Sequence, residues 1–531
     1  MADKLIFELY GGVGVIGGNK IRMRTKKGKQ AERNVWLDMG LDFKLNGKYN
    51  SEFVKARGAN GMTDFFKLGL VPEIEKLYRP DLLAQSRNVD VADINAQGVD
   101  CDGVMISHGH FDHMAFVSHL HPSIPIISSR PTYAVMQTLQ DAGAGSDKDF
   151  IQYKAKYYEK LKDREVIDRD FRFIEDDPIT LGNLVVRGIP VDHSLPGATA
   201  YIIETPKGTV VYTGDLRFHG WNSKLSEEFV KQAAAAKPLV LLTEGTNINE
   251  EPGMSEPEVY QHISDAIRKT KSLVVANFPA RDVDRLNSFL KAAKDNGRKL
   301  AIDFKQAYLL KCMQEAGCSH VSPAINPNAK QGSLEDLFSD DIVVFARQKK
   351  DGRILRGFSI DKVVSDYFAW EREFLASNSG TAKKPVYGLH DYIRNAHDIR
   401  DEQDKYVVYI DNFAVQNLID LEPAEGSTYV YSKTEPFDAE MEQDFEKLEN
   451  WVRDYIGIEN MTNAHASGHA FGSQLVDMIR EINPQILIPI HTEHPEMFEE
   501  LLKAGADPYK GNIIVPQLSS TRTGNIYPID I

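Results

Sequence analysis

Apolar residues in the first 240 positions come in short runs: Val35-Trp36-Leu37, Val104-Met105-Ile106, Ile124-Pro125-Ile126-Ile127, Tyr201-Ile202-Ile203 and Val210-Val211-Tyr212. Runs this short, punctuated by Gly, Asp and Pro, predict β-strands. Several end in a polar residue that can face a cleft, namely Asp38, Ser107 with His108, and Thr213-Gly214-Asp215. From Leu239 strands alternate with amphipathic helices, the pattern of an α/β unit with a parallel sheet. Ser255-x-x-Glu258 predicts a capping box opening one helix, and Asp438 is placed to cap another. That second helix repeats apolar residues at Met441, Phe445, Leu448 and Val452, and Gly457 suits its stop. After Gly457 the short runs and histidines return. Ala464 to His469 precedes a helix (Leu475, Val476, Ile479, Ile482) ending at Asn483-Pro484, and the strand from Ile486 to Ile490 delivers His491. One domain interrupted by another is the simplest reading. Residues 1–243 and 460–531 are expected to form the first, residues 244–459 the inserted one, and the site to lie in the cleft between them.

A chain of 531 residues exceeds the roughly 250–300 at which a single core stops growing, which agrees with two domains. No segment approaches the ~20 continuous apolar residues of a spanning helix, and Met1-Ala2-Asp3-Lys4 opens no signal peptide. A cytoplasmic protein without membrane contact is expected. Three cysteines cannot build a disulfide framework. Cys312 and Cys318, near His320, lack Cys-x-x-Cys spacing and read as free thiols. The net charge of −15 removes any general attraction to a polyanion, so a nucleic-acid substrate would need basic residues clustered near the site. Two groups exist: Arg347, Lys349, Lys350, Arg353 and Arg356, and Lys154, Lys156, Lys160 and Lys162 among Tyr153, Tyr157 and Tyr158. The second resembles a stacking surface for single-stranded bases, but each reads equally well as a solvated face.

The strongest chemical signal is Ser107-His108-Gly109-His110-Phe111-Asp112-His113, with three imidazoles and a carboxylate directly after an apolar strand. Such ligands suit zinc, and manganese less strongly. His193 in Val191-Asp192-His193-Ser194 and Asp215 in Tyr212-Thr213-Gly214-Asp215 each follow a strand. Either alone is weak. After His-x-His-x-Asp-His in this order, they resemble the metallo-β-lactamase superfamily, with Asp38 matching the early aspartate that supports the metal-binding loop. The resemblance implies an αββα sandwich interrupted by an inserted α/β domain with a parallel sheet.

Within that superfamily the chain resembles the β-CASP nucleases. Glu244 in Thr243-Glu244-Gly245-Thr246 matches their motif A, His469 in Ser467-Gly468-His469-Ala470 motif B, and His491 in Pro489-Ile490-His491-Thr492-Glu493 motif C. The Gly11-Gly12-Val13-Gly14-Val15-Ile16-Gly17 run is similar to that of the ribonuclease J family. Residues 41–98 and 141–180 look like insertions. The resemblance implies two divalent ions, Zn²⁺ first and Mn²⁺ as alternative, one between His108, His110 and His193, the other between Asp112, His113 and His491, bridged by Asp215. Two such ions activate water at neutral pH and clamp a phosphodiester for in-line attack. His469 is then the proton donor, oriented by Glu244, while Ser467 supports the site or binds phosphate and His465 is structural. Implied is a metal-dependent ribonuclease acting 5′ to 3′ on single-stranded RNA, with endonucleolytic cleavage as a second mode. Only about forty residues follow His491, too few for the separate C-terminal domain of bacterial members, so their style of oligomer is not expected; another homo-oligomer stays open. Glu-Gly-Thr and His-Thr-Glu replace the more usual Glu-Ser-Thr and His-Gly-Glu, each keeping the chemical residue. Three alternatives remain: a DNA nuclease of the same family, disfavoured by histidine at motif C; a small-molecule metallo-hydrolase, disfavoured by the long insertion; and an inactive scaffold, disfavoured by the intact ligand set.

Overall fold

The computed structural model describes residues 3–51, 53–74, 76–142, 154–160, 163–326, 328, 337–347, 370–371, 376–377, 386–387, 392–434, 439–504, 508–517 and 528–531. The chain forms two compact units: Met1–Phe218 with Asn222–Pro252 and Gly468–Ile531, and His219–Trp221 with Gly253–Ser467.

The first unit is built on two sheets. One runs Ile529–Asp530, Lys4–Leu9, Ile21–Lys26, Arg33–Leu37, Gly103–Met105, Ile126–Ser128 and Phe171–Phe173. The other runs Asn512–Ile513, Ile486–Pro489, Val240–Thr243, Gly208–Tyr212, Thr199–Thr205, Leu184–Pro190 and Ile179–Leu181. Burial alternates along Lys4–Leu9 and Ile21–Lys26, which pair antiparallel with Phe7 opposite Met23. The period of two sends Leu5, Phe7, Leu9, Ile21 and Met23 to one face, where they share a core with Tyr201, Ile203, Val210, Leu242 and Ile488 of the second sheet. The Tyr201 hydroxyl crosses that core to donate to the Ile106 carbonyl (2.8 Å). The outer face of the second sheet packs through Val211, Leu241 and Leu487 against Phe229, Ile479 and Phe498, on the helices Ser223–Ala235, Gly472–Ile482 and Glu496–Lys503.

What positions the site is the parallel part of each sheet. Arg33–Leu37, Gly103–Met105 and Ile126–Ser128 run parallel, as do Gly208–Tyr212, Val240–Thr243 and Ile486–Pro489. Parallel neighbours end together, so the residues that follow them share an edge: Asp38, Ser107 with His108, Asp215, Glu244 and His491.

The second unit holds an all-parallel sheet in the order Ile393–Arg394, Ile342–Phe345, Lys299–Ile302, Tyr406–Tyr409, Val274–Asn277, Thr428–Tyr431 and Asn460–Asn463. Ser255 caps the helix Glu256–Lys269 through a complete capping box. The helix Ala439–Glu449 continues as a wide turn, Asn450–Tyr455, before Gly457 at φ +81°. Its expected cap, Asp438, lies outside the described residues, as do Lys349, Lys350, Arg353, Arg356, Tyr153 and Lys162 of the basic groups. Two boundaries differ from the sequence expectation of 243/244 and 459/460. Glu244 and the residues to Pro252 stay with the first unit, while Asn460–Asn463 joins the second as an edge strand paired with Thr428–Tyr431. A short polar strand suits either sheet, and only its partner decides. Cys312 and Cys318 are both buried. No helix among the described residues is long and apolar enough to cross a membrane.

Glycines mark where backbones close on the metal-binding loop. A Cβ on Gly40 would stand 1.6 Å from the Asp112 carbonyl oxygen, whereas one on Gly47, inside the helix Phe43–Tyr49, meets nothing within 4 Å. Gly40→Ala is therefore expected to cost about 1–3 kcal/mol through forced displacement, while Gly47→Ala gains about 0.5–1 kcal/mol from helix propensity. Urea denaturation of both variants checks the opposite signs.

Candidate metal centre

The loop after Gly103–Met105 is fastened by Asp38. This buried carboxylate sits at φ +58° and accepts from the Ser107 amide (2.7 Å), the Ser107 hydroxyl (2.8 Å), the Tyr212 hydroxyl and His113 Nδ1 (2.7 Å). Asn19 in turn donates to the Tyr212 hydroxyl (3.1 Å). With Nδ1 spent on Asp38, His113 turns Nε2 inward. The same division recurs around the cluster. His193 Nδ1 donates to the Gly468 carbonyl (2.6 Å), His491 Nδ1 meets the Thr246 hydroxyl (2.9 Å), and His108 Nδ1 meets the Ser107 hydroxyl (3.1 Å). Outer partners of this kind fix ring orientation and tautomer in metal sites.

The inner atoms converge in two groups. His108 Nε2 lies 2.9 Å from His110 Nδ1, which lies 3.1 Å from His193 Nε2, and Asp215 Oδ2 is 3.5 Å from His108. On the other side His113 Nε2 stands 3.3 Å from His491 Nε2, which stands 3.2 Å from Asp112 Oδ2, with Asp215 Oδ2 3.0 Å from His113 and 3.7 Å from His491. One ligand atom from each of His108, His110, His193 and Asp215 lies within 4.8 Å of the others, and the same holds for Asp112, His113, Asp215 and His491. Asp215 belongs to both groups.

A cation fits this arrangement. The Gly468 carbonyl can only accept, so neutral His193 has a bare Nε2; burial keeps His193 and His108 well below the usual imidazole pKa. Bare nitrogens facing one another repel unless a positive charge separates them. Nitrogens ~2.0–2.1 Å from a tetrahedral zinc stand about 3.3 Å apart, close to these spacings. Among the described residues the buried Asp215 Oδ1 has no hydrogen-bond partner, as suits an oxygen that would ligate a metal. For His113, burial lowers the pKa, but Asp215, Asp112 and Asp38 outweigh it and hold the ring well above the usual range. The field that would protonate this imidazole is the field that attracts a divalent ion.

Glu244 and His469 stand beside the cluster. The fully buried Glu244 accepts from the Leu216 amide (3.1 Å), the Thr246 amide (3.1 Å) and His469 Nδ1 (3.0 Å). His469 Nδ1 is 3.9 Å from Asp215 Oδ2. Burial lowers the His469 pKa, yet Glu244 and Asp215 together raise it to about 9. Glu244, His469, His491 and Asp215 also form a four-residue group of ligand-capable atoms, but the Glu244 oxygens are already committed to two amides and an imidazole. Ser467, by contrast, falls in the second unit, where its carbonyl accepts from His219 Nε2 (2.9 Å). His465 belongs to that unit as well.

Several supports escaped the sequence reading. Thr246 bridges His469 (3.1 Å) and His491 (2.9 Å) through one hydroxyl; its place two residues after Glu244 was the available signal. Lys20 is buried and donates to the Gly18 and Gly40 carbonyls (2.8 Å each), its pKa lowered to about 8 by burial against the pull of Asp42 and Asp112. No pattern marks it. The glycine-rich run gains a physical reason: the Gly12 carbonyl accepts from the His491 amide (2.7 Å), and a Cβ on Gly17 (φ +81°) would meet the Asp112 carboxylate at 2.6 Å. His491 itself takes φ +51° to turn its ring inward.

Comparison with known proteins agrees with this geometry. Residues 79–270 match the beta-lactamase superfamily domain, and residues 458–516 the Zn-dependent metallo-hydrolase RNA specificity domain. The chain is 24% identical over 409 residues to ribonuclease J of Mycoplasma pneumoniae, covering 74% of this chain and 58% of that one. It is 22% identical to ribonuclease J2 of Bacillus subtilis (91% and 78% covered) and 22% identical to ribonuclease J of Pyrococcus abyssi (80% and 81%). The chain thus spans 58% of the length of the Mycoplasma relatives it matches. A solved protein of unknown function from Enterococcus faecalis V583 shares the fold, with a TM-score of 0.65 and 22% identity over 99% of this chain and 100% of that one. The chain is ribonuclease J-like in sequence and carries the metallo-β-lactamase fold.

The two groups make a testable division. Asp112→Ala or His113→Ala is expected to remove about one ion per chain on metal analysis, because His108, His110 and His193 are untouched. Full occupancy in both variants would contradict the assignment.

Proposed function

We propose that this chain is a metal-dependent ribonuclease that hydrolyses RNA phosphodiesters, with two divalent ions, Zn²⁺ before Mn²⁺, held by His108, His110, His193 and Asp215 on one side and Asp112, His113, Asp215 and His491 on the other. The observation that carries the proposal is the pairing of this imidazole and carboxylate cluster with a separate His469–Glu244 pair 3.0 Å apart at its edge. A hydrolase needs both: a charge-neutralising centre for the phosphate and a proton for the departing oxygen. When bound, two divalent ions supply an activated water and neutralise the phosphate. The remaining roles belong to the chain. Asp38, Ser107 and Thr246 keep Nε2 of His113 and His491 aimed inward. Glu244 holds Nδ1 of His469, which assigns Nε2 the role of giving a proton to the leaving ribose oxygen. The names of the similar proteins support RNA over DNA and over small molecules. Action 5′ to 3′ on single strands and a cytoplasmic setting complete the proposal.

The decisive assay offers 5′-monophosphorylated, 5′-triphosphorylated and circular RNA, with DNA as control, under added Zn²⁺ or Mn²⁺. Mononucleotide release from the monophosphorylated RNA alone is the expected result; cleavage of DNA alone would overturn the substrate. His469→Ala is expected to keep its metal and slow RNA cleavage by roughly 10²–10⁴, the span of a positioned general acid. An ester with a nitrophenolate leaving group does not need that proton and should be hydrolysed nearly as fast by the variant as by the wild type, whereas His110→Ala should fail on both. Loss of metal from His469→Ala, or equal impairment on the activated ester, would show that His469 is not the general acid.

A further inference from the structure

The segment between Arg33–Leu37 and Gly103–Met105 contributes no atom to the convergent cluster, yet it folds into short helices, Phe43–Tyr49, Gly58–Asn60, Thr63–Leu68, Pro80–Arg87 and Val91–Asn95. Residues of the first four and Phe111 of the neighbouring loop line a partly open cavity of about 570 Å³. This falls within the ~300–1,000 Å³ of pockets that take small ligands.

Its inner end is made by Leu41 and Phe111, joined by a backbone hydrogen bond of 2.9 Å, and Phe111 directly precedes Asp112. One helix of the wall is tied to the region after His491 by the Lys44–Glu493 ion pair (2.6 Å). The floor is rigid: Arg79 and Asp81, both buried, are joined through two hydrogen bonds (3.1 and 2.6 Å), and the Arg79 amide donates to the His119 carbonyl (2.9 Å). The lining includes Phe43, Phe65 and Phe111 and the amides of Asn46, Asn50 and Gln85, with Asn50 Nδ2 donating to Asn46 Oδ1 (2.8 Å). Among the described lining residues Asp81 is the one carboxylate and is committed to Arg79, so with Lys55 they carry a net charge of about +1 in a chain of −15. Flat apolar faces, amides that both donate and accept, and a local positive charge are the means by which proteins hold an unpaired base and its phosphate.

We infer that this cavity binds one nucleotide, its base against the phenylalanine faces and its edge read by Asn46, Asn50 and Gln85, and that the nucleotide belongs to the RNA strand whose backbone is at the metal centre. The inference rests on the nuclease reading above only for the second clause. The cavity can be closed without touching that centre: Gly58 lines it, and a Cβ there meets no atom within 4 Å, so Gly58→Phe grows into open space. Gln85→Leu, at an exposed position, removes an amide with little risk to folding.

Calorimetric titration of the full chain with AMP, GMP, CMP and UMP is expected to show binding at least tenfold tighter than ribose 5-phosphate or inorganic phosphate, and tenfold weaker in both variants. In cleavage assays both variants should raise the KM for RNA five- to tenfold with kcat, and hydrolysis of the nitrophenyl ester, unchanged. Ribose 5-phosphate binding as well as AMP, or full nucleotide binding by Gly58→Phe and Gln85→Leu, would overturn the site. Nucleotide binding lost in the variants with KM for RNA unmoved would overturn the substrate clause and make the ligand a free nucleotide. A wild-type chain that binds nucleotides but cleaves no RNA would sink the nuclease reading and leave the cavity's ligand standing.

Discussion

Everything around the candidate centre answers one electrostatic demand: several imidazoles and buried carboxylates point at the same small volume. His110 Nδ1 faces both His108 and His193, and Asp215 faces both sides of the cluster while one of its oxygens has no partner. Left to themselves these groups repel, and burial makes the repulsion expensive because water cannot screen it. Such a concentration of like groups is stable only with a divalent ion or with protons, and the pKa directions divide accordingly: down for His108 and His193, up for His113.

The fold meets that demand by committing the other side of each group. Asp38 takes the outward nitrogen of His113, Gly468 that of His193, and Thr246 that of His491. Asp38 and Thr246 follow strand ends that the parallel ladders bring to one edge, while Gly468 comes from the loop before the helix Gly472–Ile482. The loops then need close backbone approach, which Gly12, Gly17 and Gly40 allow and larger residues would not. Lys20, buried beneath them, ties the Gly18 and Gly40 carbonyls together.

The Glu244–His469 pair beside the cluster is the second feature of the site. Glu244 accepts from two amides and from Nδ1 of His469, so its oxygens are committed before any ion is considered. His469 retains 19% side-chain exposure while Glu244 has none, so the pair presents only its working end to solvent. The helices after the Arg33–Leu37 strand extend the same logic outward, because their cavity abuts the metal-binding loop through Phe111 without supplying ligands to it.

The metal-binding loop was legible in the sequence because its residues are adjacent: three histidines and an aspartate within six positions form a local pattern. Strands with alternating or short apolar runs, the Ser255 capping box and the stop at Asn483 were legible for the same reason, being set by neighbours along the chain. The resemblance to a known family reached further, to His193, Asp215 and His491, and the metallo-β-lactamase fold that it implied agrees with the comparisons. Tertiary structure alone decided which sheet claimed Asn460–Asn463, that Glu244 stays with the first unit, that Ser467 belongs to the second, and that Thr246, Tyr212 and Lys20 brace the cluster. The physical reason is range. Periodicity and caps depend on residues a few positions apart, whereas a carboxylate's partners 75 and 174 positions away, as Asp38 finds in His113 and Tyr212, exist only once the strands have paired.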